Sequence, residues 1–201
     1  MGYDEFRQLF DTTAAEILGP ARFVRSDTAR WVRAEGEELN LVELQKHSTD
    51  PCFAVNLGVH YSFLPAIGGD LAVSQAELEF VDCELRFRLT DEAHASDQWW
   101  PMAKSSIEEV LKVLTHCGFQ LFEKYRHDRD IRGLNGADVE HGNADMLSSL
   151  TKVRACLLIA RIQEHLGNRE RSLAAAETGL KLAGLAFGPK KALKDLIARN
   201  S

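Results

Sequence analysis

A chain of 201 residues that is 45% hydrophobic and 27% charged is long enough to bury a normal core in one or two domains. Its longest unbroken apolar run, residues 155–160, is far shorter than the roughly 20 residues of a membrane helix, and its N-terminus lacks the basic and apolar regions of a signal peptide. The net charge is −6, but residues 151–201 carry ten Lys/Arg against four Asp/Glu, which leaves −12 for residues 1–150. We therefore expect a cytoplasmic protein that binds neither membranes nor nucleic acid, because phosphate contacts need a basic surface.

The first predicted element is a helix over residues 3–18, whose apolar side chains recur at steps of three and four residues. It ends at Gly19-Pro20. Four strand patterns follow, and their short connections indicate an antiparallel meander. These patterns are ARFVRS, ARWVRAEG, ELNLVELQKH and CFAVNLGVHYSF. The third breaks its alternation at Leu41-Val42, which favours a bulge or burial on both faces.

A further strand is predicted in CELRFRL, which has one polar face and one apolar face. The apolar face consists of Cys83, Leu85, Phe87 and Leu89. Beyond it, the pattern predicts a helix over residues 104–117, a polar loop over 127–145 and helices over 147–166, 169–183 and 189–199. The whole is an α+β fold: an N-terminal helix on a four- to five-stranded antiparallel sheet, followed by a C-terminal helical region. The sheet domain would span residues 1–103, and the helical extension, packed on it or continuous with it, residues 104–201.

Polar side chains collect on one face of the predicted sheet, close to two adjacent tryptophans. The candidate ligand- or partner-binding residues are Arg86, Arg88, Glu84, His60, Asn56, Trp99 and Trp100. Two guanidinium groups on one face can bind a carboxylate or phosphate in bidentate fashion, and an indole can stack on the ligand. The alternative is structural: the arginines are solvated and the tryptophans close the sheet edge onto the first helix.

A cysteine nucleophile is a second chemical possibility, since Cys52 would need an imidazole beside its thiol. His60 lies eight residues further along the same strand, about 26 Å away at the rise of a strand. Only His47, across the hairpin, could therefore supply the imidazole. We expect instead a buried thiol and two surface imidazoles.

A divalent metal in the polar segment 127–145 is a third possibility. Its candidate ligands are His127, Asp128, Asp130, Asp138, Glu140, His141 and Asp145. The three glycines of this segment favour a solvated loop instead. Glycine-rich phosphate-binding motifs, GxSxG and HExxH are missing from the sequence. We therefore expect no catalytic residue, no metal and no cofactor.

The first half of the chain resembles a bacterial family without an assigned activity, the domain of unknown function 4304. The resemblance rests on GPARFVRS, LVELQKHS, FAVNLGVHY and the spacing from CELRFRL to DQWW, over about residues 5–103. It implies an α+β domain with an antiparallel sheet and brings no catalytic residues. Residues 153–183 also resemble a tetratricopeptide-type helical hairpin at Leu166-Gly167-Asn168, although one such unit does not make an array.

These observations favour a non-enzymatic protein-interaction module, of immunity type, whose acidic body would attract a basic protein partner. The alternative is a metal-assisted hydrolase of a phosphorylated or carboxylate-bearing small molecule. In that case Arg86 and Arg88 would bind the anion, and the acids of segment 127–145 would hold the metal. A hydrolase predicts a deep pocket and a response to Mg²⁺ or Mn²⁺, whereas an interaction module predicts a shallow surface.

Overall fold

The computed structural model describes residues 1–27, 29–65, 72–91, 97–126, 129–184 and 187–200. The chain divides into two units, Met1–Arg126 and His127–Ser201. The elements of the first unit are α1 (Tyr3–Leu18), β1 (Val24–Asp27), β2 (Arg30–Glu35), β3 (Glu38–Lys46), β4 (Cys52–Tyr61), β5 (Leu85–Arg88), β6 (Trp100–Pro101), α2 (Lys104–Val113) and α3 (Phe119–Arg126). A π-helical segment, Leu114–Gly118, joins α2 to α3. In the parts of the chain described, every helix is too short or too polar to cross a membrane.

The strands form one antiparallel sheet in the order β1-β2-β3-β4-β5, and β6 pairs with the beginning of β4. This confirms the predicted α+β class. The longest pairing is the β3–β4 hairpin, in which Glu38 lies opposite Tyr61 and Lys46 opposite Phe53. Leu41 and Val42 are both fully buried within this regular pairing, so burial on both faces explains the broken alternation of β3.

The helices of the first unit cover one face of the sheet, which we call the inner face. Phe6 of α1 packs on Phe53 of β4, with ring centroids 4.7 Å apart. Phe122 of α3 packs on Phe23, with centroids 5.8 Å apart. Each fully buried side chain of this kind contributes about 1.5–3 kcal/mol. Because α2 and α3 belong to the unit of the sheet, the division of the chain falls after residue 126, whereas the sequence prediction placed it after residue 103.

The opposite face, the outer face, is covered at one end by the segment 72–83. Leu78 and Cys83 are fully buried there and join a cluster with Val32, Leu39 and Leu41 of the sheet. Cys83 follows a 3₁₀ turn and precedes β5, so it does not share the face of Leu85. The predicted common face of these two residues is therefore wrong: the alternation of the strand does not extend back to position 83.

Gly58 of β4 allows this segment to lie close to the sheet. A Cβ at position 58 would stand 2.4 Å from the Sγ of Cys83 and 3.4 Å from the Cβ of Leu41. Since carbon atoms in contact are normally about 3.5–4.0 Å apart, any larger residue would push Cys83 off the sheet. Burial raises the pKa of the Cys83 thiol, so the group is neutral in the core.

The second unit is helical in the residues described. Its helices are α4 (Arg129–Gly133), α5 (Gly136–His141), α6 (Lys152–His165), α7 (Arg169–Leu182) and α8 (Phe187–Asn200). The predicted hairpin is the α6–α7 pair, where Ser172 donates a hydrogen bond to the carbonyl oxygen of Ala160. Gly179 allows close packing, because a Cβ there would lie 2.8 Å from the Cβ of Cys156.

The predicted polar loop over residues 127–145 contains two short helices, so that prediction is wrong for its described part. The Asn135 side chain accepts a hydrogen bond from the Asp138 backbone N–H and begins α5. Gly142 ends the helix with a left-handed backbone, φ 81°. Asn135, Asp138 and Gly142 of this segment are therefore helix caps. His127 and Asp128 lie outside the described residues.

Candidate functional site

Two arginines of β5 and an asparagine of β4 lie together on the outer face of the sheet. Arg88 lies opposite Asn56 in the β4–β5 pairing, and Arg86 lies opposite Gly58. Since side chains alternate along a strand, both arginines point away from Phe87, whose ring packs on Tyr125 of α3 with centroids 5.3 Å apart. The predicted proximity of Asn56, Arg86 and Arg88 is therefore present in the structure.

The Arg88 side chain is held in place by several partners. Its Nη1 donates hydrogen bonds to the Oδ1 of Asn56 at 2.7 Å and the Oε1 of Gln45 at 3.0 Å. Its Nε lies 2.9 Å from an Asp97 carboxylate oxygen. Its guanidinium carbon stacks 4.9 Å from the centre of the Trp99 ring. No partner for Nη2 is present among the described residues, so that end of the guanidinium group can bind another molecule.

The two adjacent tryptophans lie on opposite faces of the sheet. Trp100 pairs with Phe53, is buried on the inner face and donates a hydrogen bond to Glu109 of α2. Trp99 is half-buried on the outer side, where it stacks on Arg88 and touches the His47 ring edge-on at 4.6 Å. Trp100 thus closes the core, as the structural alternative predicted, and Trp99 joins the arginines.

We call the outer-face group of Arg86, Arg88, Gln45 and Trp99 the Arg–Trp patch. The buried Asn56 lies beneath it and holds Arg88 by a hydrogen bond. Arg86 is exposed, and within the described residues its side chain has no hydrogen-bond or ion-pair partner. A free guanidinium group beside a fixed one suits a ligand that offers carboxylate or phosphate oxygens.

Two of the predicted site residues are not part of this surface. His60 is fully buried, with its Nε2 3.3 Å from the carbonyl oxygen of Leu64, and Glu84 is 5% exposed. The expectation of a surface imidazole at position 60 is therefore wrong. Both residues lie too deep to touch a protein partner directly.

A group of three side chains lies in the turn between β3 and β4. The sequence predicted that His47 could approach Cys52 across this hairpin, but it did not single out Asp50 or a metal site there. The Nδ1 of His47 lies 3.4 Å from a carboxylate oxygen of Asp50. Together with the thiol of Cys52, these groups place their potential metal-binding atoms within 4.8 Å of one another. Partial burial and the Asp50 charge both raise the pKa of the Cys52 thiol. The spacing His-x-x-Asp-x-Cys across a hairpin turn was the available signal.

A buried polar network on the inner face was also missed. Arg33 of β2 donates to the Asn40 side chain from Nη2 at 2.7 Å, and Asn40 donates to Glu38 at 2.6 Å. The Arg33 guanidinium also stacks on the Phe23 ring at 4.8 Å. Burial raises the pKa of Glu38 above its usual value. These groups are enclosed by helices, so we assign them a role in positioning the sheet.

Two of the cavities that described residues line lie away from the Arg–Trp patch. The first, of about 480 Å³, lies between α1 and α2 and is lined mainly by apolar atoms of residues such as Ile17 and Leu111. The second, of about 220 Å³, lies in the second unit around Leu147.

The predicted metal ligands of segment 127–145 do not come together in the described part of the chain. In that part of the chain, one group of three or more His, Cys, Asp or Glu side chains has metal-binding spacing. It consists of His47, Asp50 and Cys52. Asp138 instead accepts a hydrogen bond from the Asn135 backbone N–H and caps α5.

A comparison with protein families finds a match to the domain of unknown function DUF4304 over residues 23–123. The chain belongs to the DUF4304 family. The matched region begins after α1 and ends within α3, so it extends the predicted range of 5–103 at its C-terminal end and shortens it at its start. All strands of the sheet, the Arg–Trp patch and the His47 turn lie inside the DUF4304 region. No curated protein and no solved structure matches the chain.

Proposed function

We propose that this DUF4304 protein is a non-enzymatic protein-interaction module that uses the Arg–Trp patch as its contact surface. The observation that supports the proposal most is the fixed position of Arg88, which stacks on Trp99 and is hydrogen-bonded on its other side by Asn56 and Gln45. Binding then requires little additional ordering of the side chain, and this lowers the entropic cost of association.

The composition of the patch supports a protein partner. Arginine and tryptophan are the residues that most often dominate the binding energy of protein interfaces. Arg86 offers an exposed guanidinium group to a carboxylate of the partner. Trp99 offers an apolar ring beside Arg88. The exposed Gln45 supplies a polar group of the kind expected around such a centre.

The charge of the surrounding unit indicates the kind of partner. Residues 1–126 contain 12 Lys/Arg and 21 Asp/Glu, so their summed field attracts a basic protein. Long-range attraction would accelerate association with such a partner, and the patch would then fix the orientation by local contacts. An inhibitor of immunity type, acting on a basic protein in a bacterial cytoplasm, has these properties.

Affinity capture from the native lysate tests this proposal, with quantitative mass spectrometry as the readout. The variants are Arg86→Ala and Trp99→Ala, and the matched control is Lys194→Ala, which removes an exposed cation outside the patch. We expect a stoichiometric partner with the natural chain and the control but not with the patch variants. For the purified partner, each patch variant should weaken binding by about 2 kcal/mol, or roughly thirty-fold in Kd. Equal capture by all four chains would refute the proposed surface.

A metal-assisted hydrolase remains the second candidate, and one observation favours it. The side chains of His47, Asp50 and Cys52 have metal-binding spacing, and the His47 ring touches Trp99. A hydrolase predicts metal-dependent turnover of phosphorylated or carboxylate-bearing compounds, lost on Arg86→Ala. An interaction module predicts no turnover with Mg²⁺, Mn²⁺ or Zn²⁺, so an activity screen with these ions separates the two candidates.

A further inference from the structure

The turn between β3 and β4 holds three different metal-binding groups in a small volume. His47 follows the last residue of β3, and Cys52 is the first residue of β4. The His47 N–H donates to the Cys52 carbonyl oxygen at 3.0 Å, and the Cys52 N–H donates to that of Asp50 at 2.8 Å. These backbone bonds fix the Cα positions of all three residues, so the proximity of their side chains follows from the fold of the turn.

The distances within the group agree with coordination of a single ion. Two nitrogen or oxygen ligands bound about 2.0–2.1 Å from a tetrahedral zinc ion lie about 3.3 Å apart. The Nδ1 of His47 and the nearer carboxylate oxygen of Asp50 are already 3.4 Å apart. All three ligand atoms, including the Cys52 Sγ, lie within 4.8 Å of one another.

The His47 ring is oriented for such a role. The backbone N–H of Asp50 lies 3.1 Å from Nδ1 and that of Thr49 3.4 Å, and both donate to this nitrogen. The lone pair of Nδ1 therefore faces the backbone of the turn, and a carboxylate oxygen of Asp50 lies 3.4 Å from this nitrogen. Thr49 and Asp50 are exposed, so their N–H groups can bond to water when an ion takes the lone pair. The Trp99 ring, 4.6 Å from the imidazole, limits rotation of the His47 side chain.

We propose that His47, Asp50 and Cys52 form a binding site for one zinc-class divalent ion. Imidazole nitrogen and thiolate sulfur together favour borderline ions such as Zn²⁺ or Co²⁺, whereas Mg²⁺ and Ca²⁺ prefer oxygen ligands alone. Three protein ligands leave the fourth tetrahedral position for water or a group from another molecule. The site uses none of the residues of the proposed protein contact except the supporting Trp99, so it stands or fails separately from that proposal.

The test is a titration of the reduced, untagged chain with Co²⁺, followed by displacement with Zn²⁺. Thiolate coordination gives a Co²⁺ charge-transfer absorption in the near ultraviolet, and we expect it to saturate at one ion per chain. Cys52→Ser should abolish this absorption, while His47→Gln and Asp50→Asn should weaken Co²⁺ binding at least ten-fold. The matched control is Cys117→Ser, since Cys117 is the other partly exposed thiol and is next to a histidine, His116.

A second readout does not depend on the spectrum. Zn²⁺ should slow alkylation of Cys52 at least ten-fold and leave the rate at Cys117 unchanged. Circular dichroism of each variant shows whether it has folded, and the exposure of the turn predicts that all of them do. Three results would each overturn the proposal. The natural chain could show no absorption, Cys117→Ser could lose it, or His47→Gln and Asp50→Asn could bind Co²⁺ with full affinity.

Discussion

The contact between Gly58 and Cys83 gives a quantitative test of how the outer face is closed. In Gly58→Ala, the new Cβ would lie 2.4 Å from the Cys83 Sγ and 3.0 Å from its Cβ. Normal contacts are about 3.5–4.0 Å, and Cys83 is fully buried, so it has no free space to move into. Overpacking of this kind destabilises by about 1–3 kcal/mol. Replacing glycine in a strand recovers about 0.5–1 kcal/mol, which leaves a net loss of about 1–2 kcal/mol.

The refuting result comes from the double variant. Cys83→Ala alone removes the sulfur and should destabilise by about 1 kcal/mol through the void that it leaves. In Gly58→Ala/Cys83→Ala the new methyl group occupies that void. The decrease in the free energy of unfolding should therefore be at least 0.5 kcal/mol smaller than the sum of the decreases in the two single variants. Urea denaturation of the four chains measures these values. Additive losses would show that the two side chains do not compete for one space. Gly188→Ala, whose Cβ meets no atom within 4 Å, is the control for the loss of a glycine.

Three further predictions concern other parts of the chain. Burial raises the pKa of Glu38 from its usual 4.5, so the folded state binds this proton more tightly than the unfolded chain does. The stability of the protein therefore falls as the pH rises from 4.5 through the folded pKa. Glu38→Gln should remove that fall, and an unchanged slope of the urea midpoint against pH would contradict the assignment. An alkylating reagent should modify Cys52 and Cys117 before the two buried thiols, as measured by mass spectrometry. Asp50→Asn should accelerate the reaction of Cys52, because the carboxylate raises the pKa of this thiol. Equal rates at all four cysteines would be inconsistent with the structure. Gly179→Ala should destabilise the second unit by about 1–3 kcal/mol, since its Cβ would lie 2.8 Å from that of a buried cysteine on α6; a urea midpoint equal to that of the natural chain would argue against this packing.

The strands could be predicted because their physical signal is local. Alternation along Cys52–Tyr61 depends only on side-chain direction, and the short connections between strands leave an antiparallel meander as the simple arrangement. The same reasoning placed Asn56 and Arg88 on one face of the sheet, and the regular β4–β5 pairing sets them opposite each other. These parts of the fold needed no information about distant segments.

The errors arise where a distant segment decides the environment. The pattern around His60 cannot show that this side chain is covered, since burial there depends on contacts outside its own strand. Cys83 was assigned to the wrong face because a 3₁₀ turn ends the alternation just before β5. Glycines near position 136 suggested a loop, although they allow α5 to approach α7: a Cβ on Gly136 would lie 2.8 Å from Thr178.

The candidate site shows the same division. The arginines could be found because they alternate with apolar residues, whereas the different positions of Trp99 and Trp100 depend on the pairing of β6 with β4. The group around His47 was only partly predicted, because His47 was considered as a base for Cys52 across the hairpin, whereas Asp50 and metal binding were not considered there. The turn brings His47 back across the hairpin, and no periodicity in the sequence marks that return.

The ends of the sheet bear on self-association of the protein. In the described sheet, β1 forms one edge, and β5 and β6 form the other beside β4. β1 and β5 are each four residues long, and β6 has two residues. β1 has an irregular register between Arg25 and Asp27, and β5 carries Arg86 and Arg88. Short, irregular or charged border strands are poor templates for a further strand from another molecule. The arginines of the patch therefore also help to prevent strand addition between copies, so variants that remove them should be checked for oligomers by light scattering before any loss of partner binding is interpreted.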